Sequence, residues 1–418
     1  MQSTFKFKSL IAIVFAFYTQ FTFQAVAVLA SDHADPLFLQ KQEGGITDLF
    51  GYVKDGSENL TLIICVRRGL IKDEPTPLLP YTYRLHIDLT SKIDFSDDVQ
   101  GTLARYGGHV LKPSEIEEEI SFEIKLNDAP VKNWRPEFSD TNDEYLSKTL
   151  LRKLEVKGLE QDQFRIWAGV RDDPFILHSF SRTNCVAMVI EIPLANFPGN
   201  QTDFVIWATS EGFGKQIDHV GRSLRTMLPR LGFLNTLPPR EHVAEITKRD
   251  KSPGPIADVL AFAIPPLFGI RSYDFEPDVM ILTLRDDILL DGELYPQTYP
   301  NGRRLTDDIA KLCSIQGDSL LYDVSLADAH HDNFPRPDSD NVDFLETFPY
   351  LAPPLKCTVA VREPSLRIQT LVILVAVAAA VILFQISLLY FTIRYFRLKK
   401  HFRARGLTTS SSILPSGE

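Results

Sequence analysis

Seven short stretches of the chain alternate apolar and polar positions or run densely β-branched: ITDLFGYV (46–53), NLTLIICV (59–66), YTYRLHIDL (81–89), ISFEIKL (120–126), FRIWAGV (164–170), CVAMVIEIPL (185–194) and DFVIWATS (203–210). Turn-forming clusters separate them, such as Lys54-Asp55-Gly56-Ser57-Glu58 and Phe197-Pro198-Gly199-Asn200. Period-two runs at this spacing predict an antiparallel sandwich or barrel, with no regular strand–helix alternation. Asp140 to Leu159 breaks the pattern: Leu146, Leu150, Leu151 and Leu154 fall on one face of a helix. From residue 211 the character shifts to helices among Pro-rich loops, predicted over His219–Leu234, His242–Lys248 and Leu305–Cys313. The expected fold is therefore mainly β, an antiparallel sandwich-like core. A β-rich part covers 46–210, a helix- and loop-rich part 211–330, and a Pro- and Asp-rich wrapping segment and stalk 331–366. No internal repeat is visible.

The two ends change the picture from a fold to a location. Lys6 and Lys8 precede the apolar run Leu10–Tyr18, and small residues follow at Ala25–Ala30. These are the parts of a secretory signal peptide over 1–30. Val28 and Ala30 fit a cut before Ser31, the favoured site; Ala25 and Ala27 fit a cut before Val28. The alternative is an uncleaved anchor, for which the apolar core is short. Residues 368–393, IQTLVILVAVAAAVILFQISLLYFTI, carry no charge and are long enough to span a bilayer. Arg394, Arg397, Lys399, Lys400, Arg403 and Arg405 follow directly, and cations on one flank place that flank in the cytoplasm. The expectation is a single-pass type I membrane protein: an ectodomain over 31–366, periplasmic or extracellular, a C-terminal helix over 368–393, and a basic cytoplasmic tail over 394–418.

Composition then removes classes of function. The formal net charge is −10, and without Lys6, Lys8 and the basic tail the ectodomain is more acidic still. Nucleic acid is not an expected partner, because phosphate binding needs a basic surface. Four cysteines, Cys65, Cys185, Cys313 and Cys357, are too few and scattered for a disulfide scaffold, and no zinc spacing occurs. One bridge stays open as a possibility in an oxidising compartment. Two glycosylation sequons, at Asn59 and Asn200, matter only in a eukaryotic source.

Further motifs follow in a fixed order: Ser31-Asp32-His33, then AGVRDDPF (168–175), IEIPL (190–194), LPRLGFLNTL (228–237), PDVMILTLRDD (277–287), NGRRLTDDI (301–309) and FPYLAPP (348–354). Together with ITDLFGYV and YRLHID they resemble the mainly bacterial family called domain of unknown function 4331, over nearly all of 31–356. The resemblance implies an extracytoplasmic β domain and no assigned activity. More weakly, the strand pattern resembles carbohydrate- and haem-binding sandwich domains. Members of the family often carry an acidic, Gly-containing loop suited to calcium after the Ile-Asp strand. Here that loop runs from Asp88 through Asp94 to Asp98 without the alternate-acid spacing or the central glycine. The histidine of the opening motif also lacks the cation that follows it in the family.

Candidate site residues come from three places. Arg171, Asp172 and Asp173 stand at the end of a strand before Pro174, able to grip a polar ligand or, on the favoured reading, to pair internally and fix a turn. Arg303 and Asp307 in NGRRLTDDI suit a turn and a helix start, with Arg303 or Arg304 reaching Asp172 or Asp173. His33, Asp35 and Asp48 open the ectodomain. If the mature chain starts at Ser31, its α-amine, the amides of Asp32 and His33 and the imidazole supply four nitrogens in a plane, a set that selects Cu(II) or Ni(II). The preferred alternative is a clasp, His33 bonded to Asp35 or Asp48. A divalent metal is thus one possible cofactor. His330-His331 points its rings oppositely and does not share a metal. No Gly-x-Ser-x-Gly, His-Glu-x-x-His or Gly-rich phosphate loop occurs, so the balance lies against catalysis. The expected function is a membrane-anchored binding or interaction protein. The alternatives are a metal- or cofactor-dependent protein built on the His33 region and a structural envelope protein.

Overall fold

The computed structural model describes residues 44–66, 78–96, 102–128, 149–172, 174, 184–223, 225–227, 230–253, 269–307, 309 and 344–354. All lie in one compact unit, Met1–Ala360. The protein is mainly β, with antiparallel sheets and few helices.

The elements in chain order are β1 (Ile46–Val53), β2 (Asn59–Val66), β3 (Tyr81–Asp88), β4 (Ile93–Asp94), α1 (Thr102–Tyr106), β5 (His109–Val110), β6 (Ile120–Leu126), β7 (Leu151–Lys157), β8 (Arg165–Asp172), β9 (Asn184–Pro193), β10 (Asp203–Gly212), β11 (Lys215–Val220), α2 (Pro239–Lys251), β12 (Met280–Thr283), β13 (Leu289–Leu290) and β14 (Glu293–Leu294). One sheet orders its strands β1-β2-β9-β8; the other runs β11-β10-β3-β6-β7, with β12 also pairing β10. All seven strands predicted from alternation are present.

Side-chain alternation explains how these sheets bury both faces. In β2, Leu60, Leu62, Ile64 and Val66 enter the large core shared with Tyr83, Leu85 and Ile87 of β3. The opposite face of β2 carries Ile63 and Cys65, which join Phe50, Val189, Leu305, Tyr350 and Leu351 in a second cluster. On the far side of the other sheet, Val205 and Trp207 of β10 pack with Phe95, Leu103, Ile281 and Tyr295. β1 packs closely on Met280 at Gly51, where a Cβ would lie 2.8 Å from its sulfur.

Two predicted helices differ where the structure describes them; residues 140–148 of the first lie outside the described residues. The Leu151–Leu154 spacing that suggested a helix belongs to β7, where Leu126 faces Leu151 and Lys125 faces Lys153. One extra residue bulges there, so apolar positions on the core-facing side are three apart and imitate a helical turn. His219 likewise lies in β11, opposite Thr209, and short 3-10 turns follow at Arg225–Met227 and Gly232–Thr236. Strands from beyond residue 210 thus complete the second sheet. The predicted helix at His242–Lys248 exists as α2, opened by Pro239 at its first position and closed by Lys248, Arg249 and Lys251 in its last turn. Most of the helix expected at Leu305–Cys313 and most of the stalk lie outside the described residues, as do both terminal segments, Cys313 and Cys357. Among the described residues no helix is long and apolar enough to cross a membrane.

Candidate functional site

Arg303 meets Asp48, a pairing the sequence did not suggest: its Nη2 lies 3.3 Å from Asp48 Oδ1, both side chains buried. Its Nη1 donates to the Leu49 carbonyl at 3.3 Å, its guanidinium lies 3.9 Å over the Phe50 ring, and its backbone exchanges two hydrogen bonds with Gly51. Asn-Gly supplies the turn that brings it there: Gly302 has φ +70° and its Cβ position would fall 2.4 Å from the Gly51 carbonyl oxygen. Arg304 instead forms a forked pair with Asp55 at 2.9 and 3.3 Å. Asp307 accepts from Thr298 Oγ1 and from the amides of Tyr299 and Arg304, so it fixes this loop.

Arg171 and Asp172 still belong to β8 and point to opposite faces. Arg171 stacks 3.8 Å over Trp167 and donates to the Val170 carbonyl; the carboxylate partner expected for it is not among its contacts. Burial lowers its pKa to about 10. Asp172 receives the wrapping segment, its amide donating to the Ala352 carbonyl at 3.2 Å. Asp173, Ser31, Asp32, His33 and Asp35 lie outside the described residues. Among the described residues no group of three or more His, Cys, Asp or Glu side chains is placed to hold a metal ion. In the loop after β3, Asp88 caps its own turn, accepting from the amides of Thr90 and Ser91 at 2.8 and 2.7 Å.

The wrapping segment and the end of β1 build a cavity of about 200 Å³. Tyr52, Tyr350 and Phe344 give it aromatic walls, while Lys54, Asp55, Arg304 and Glu346 form its polar rim. Lys54 donates to the Glu346 carbonyl at 2.7 Å and pairs with its carboxylate. That pairing holds Glu346 below the usual carboxylate range. Below the wall, Tyr350 Oη donates to Glu191, whose other oxygen accepts from Arg165; Glu191 is 3% exposed. Burial, then the Glu191 carboxylate, raises the Tyr350 pKa, and burial raises that of Tyr52. Tyr350 sits at φ 67°, the left-handed region. A bulky residue there is strained at roughly 1–2 kcal/mol. The loop imposes it: Tyr350 N donates to Thr347 O and Leu345 N donates to Tyr350 O. None of Tyr52, Lys54, Asp55, Glu346 or Tyr350 was singled out from the sequence. The one available signal was FPYLAPP, an apolar aromatic run inside an otherwise polar, Pro-rich stretch.

A second polar cluster lies on the outer face of the other sheet. His86 stacks on Trp207, ring centroids 4.9 Å apart, and shares a hydrogen bond with Thr209 Oγ1 at 3.0 Å. His219 meets His242 edge-on at 4.9 Å. His219 Nε2 donates to the Asp278 carbonyl at 2.7 Å. The Asp278 amide donates to His242 Nδ1 at 3.1 Å, and His242 Nε2 donates to the Leu237 carbonyl at 2.9 Å. These contacts fix His242 as a neutral imidazole. Burial is the main cause that lowers the pKa of both His86 and His242 to about 3.

Compared with protein-family models, curated proteins and solved structures, the chain matches none.

Proposed function

We propose that the protein is a membrane-anchored extracytoplasmic binding protein, a β-sandwich of the kind the domain of unknown function 4331 resemblance implies, whose ligand occupies the cavity between β1 and residues 344–350. The observation that carries this reading is the cavity itself, concave, aromatic-walled and rimmed by a few polar groups, the usual make-up of a small-molecule site. The strained Tyr350 at its wall supports it, because such outliers persist at functional positions. The rim charges cancel, Lys54 and Arg304 against Asp55 and Glu346. A neutral, hydroxyl-rich molecule with one apolar face, the chemistry of a saccharide ring, suits that lining.

Titration of detergent-solubilised full-length protein with a panel of mono- and oligosaccharides, read by calorimetry, tests this. Tyr350→Ala is expected to weaken binding at least about tenfold, equal to ~1.4 kcal/mol, while Tyr350→Phe keeps the ring and stays within about threefold. Equal binding by Tyr350→Ala, or no binding by any saccharide, overturns the ligand assignment. The anchoring rests on the apolar run 368–393 and the cations after it. Protease added outside intact cells is expected to degrade the ectodomain and leave a small membrane-held fragment bearing the C-terminus. A protected ectodomain refutes the orientation.

A further inference from the structure

We propose that Arg222 and Arg225 bind a small inorganic anion of chloride size beside the ring of Tyr106. Both arginines leave the end of β11, where the chain runs hard against the 274–278 segment. A Cβ on Gly221 would fall 2.3 Å from the Asp278 carbonyl oxygen. The crowding buries both side chains, Arg222 3% and Arg225 5% exposed. Their Cζ atoms lie 4.1 and 4.8 Å from the centroid of one ring, that of Tyr106.

The unusual feature is what these groups do not touch. Nε, Nη1 and Nη2 of Arg222 and Nε and Nη1 of Arg225 are closed from solvent and have no hydrogen-bond partner. Arg225 Nη2 alone is used, donating to the carbonyls of Asp274 and Glu276 at 2.7 and 2.5 Å. The neighbouring acids are committed elsewhere. Asp274 takes Arg230 at 2.8 Å, and Asp278 accepts from the amides of Gly221 and Arg222 at 3.3 and 3.0 Å. Glu276 Oε1 faces His109 Nδ1 at 2.5 Å, leaving Glu276 Oε2 as the one orphan carboxylate oxygen of this group.

Donors therefore outnumber acceptors, and an unmade hydrogen bond on a buried charged group is costly. A water molecule does not correct that imbalance, because it brings two donors with its two acceptor sites. An anion brings acceptors alone, which the orphan N–H groups of the two buried guanidinium groups lack. Burial lowers the pKa of Arg222 to about 10, with Arg225 pushing the same way and Glu276, Tyr106 and Asp278 opposing it. The closed setting of the nitrogens selects a compact ion over an organic carboxylate.

The test compares thermal unfolding of the detergent-solubilised full-length protein in sodium chloride and in sodium gluconate at equal ionic strength. A ligand that binds only the folded state stabilises it by mass action, so chloride is expected to raise the midpoint by about 3–5 °C over gluconate. The increment is expected to vanish in Arg222→Met, which keeps a long stem to cover Tyr106. Identical midpoints in the two salts, or an increment that survives Arg222→Met, overturn the proposal. If that variant does not fold, crystals of the wild type grown in sodium bromide decide. An anomalous peak between the two guanidinium groups supports the site, and its absence refutes it.

Discussion

Replacing Arg303 with alanine is expected to destabilise the fold by about 3–5 kcal/mol, the range for breaking a buried ion pair from one side. Asp48 is fully buried in the second residue pair of β1, and Arg303 is its cation. The same side chain covers Phe50, and its backbone closes the two-bond bridge to Gly51. Truncation therefore removes a charge partner and packing together. Arg303→Met separates the two, since it keeps an apolar stem on Phe50 and loses the charge with its hydrogen bonds to Asp48 and the Leu49 carbonyl. It is expected to recover roughly 1–2 kcal/mol of the loss. The double variant Asp48→Leu, Arg303→Met removes both charges, and an apolar pair in such a place is often near neutral. Chemical denaturation of the wild type, Asp48→Leu, Arg303→Met and the double variant completes a cycle whose coupling is expected to exceed about 2 kcal/mol. A cost below about 1 kcal/mol for Arg303→Ala would show that the pair contributes little to stability.

That pair also shows what the sequence could and could not convey. Asp48 and Arg303 were each legible as candidates, but the register that joins them spans 255 positions. No local pattern encodes it, and from the sequence the arginines of this motif were matched to Asp172 or Asp173 instead. Local periodicity worked where a strand is regular, as in β6, whose ISFEIKL alternates buried and half-buried positions without a break. It failed at β7, where a bulge respaces the leucines. It failed again in β11, whose polar Lys215-Gln216 start and buried Asp218-His219 pair hide the apolar signal. Asp218 is buried because its carboxylate accepts from the Ile46 amide at 2.9 Å, a satisfaction that only tertiary contact supplies. The cavity was invisible for the same reason as the ion pair. Tyr52 and Tyr350 face one space from nearly 300 positions apart in the sequence.

Acid is expected to unfold the β-rich domain well above the pH at which its carboxylates protonate. Both His86 and His242 have pKa values near 3 in the folded state against 6.5 for the ordinary imidazole. The unfolded chain therefore binds more protons below pH 6.5, and stability falls as pH drops from there towards 3. Above pH 6.5 the two states bind these protons equally and the contribution is fully present. Each unit of that interval corresponds to 1.36 kcal/mol per group, so lowering the pH to about 4.5 costs roughly 2–3 kcal/mol for each histidine. The geometry at His242 gives the reason. A proton on its Nδ1 would face the Asp278 amide, a donor that has no other direction to turn. Asp278 adds to the effect only at lower pH. Burial works to raise its pKa, but His219 and Arg225 hold it below the ordinary value, so its contribution disappears as pH falls through the carboxylate range. Urea unfolding at pH 7.5, 6.0, 5.0 and 4.5 separates the two regimes. In His242→Gln, an amide oxygen can accept from Asp278 N and the amide nitrogen can donate to Leu237 O, without a titrating group. That variant is expected to lose about half of the stability slope between pH 6.5 and 4.5 while keeping its stability at pH 7.5 within about 2 kcal/mol of wild type. Constant stability of the wild type across that interval would mean that these imidazoles protonate in the folded state, against the packing that encloses them.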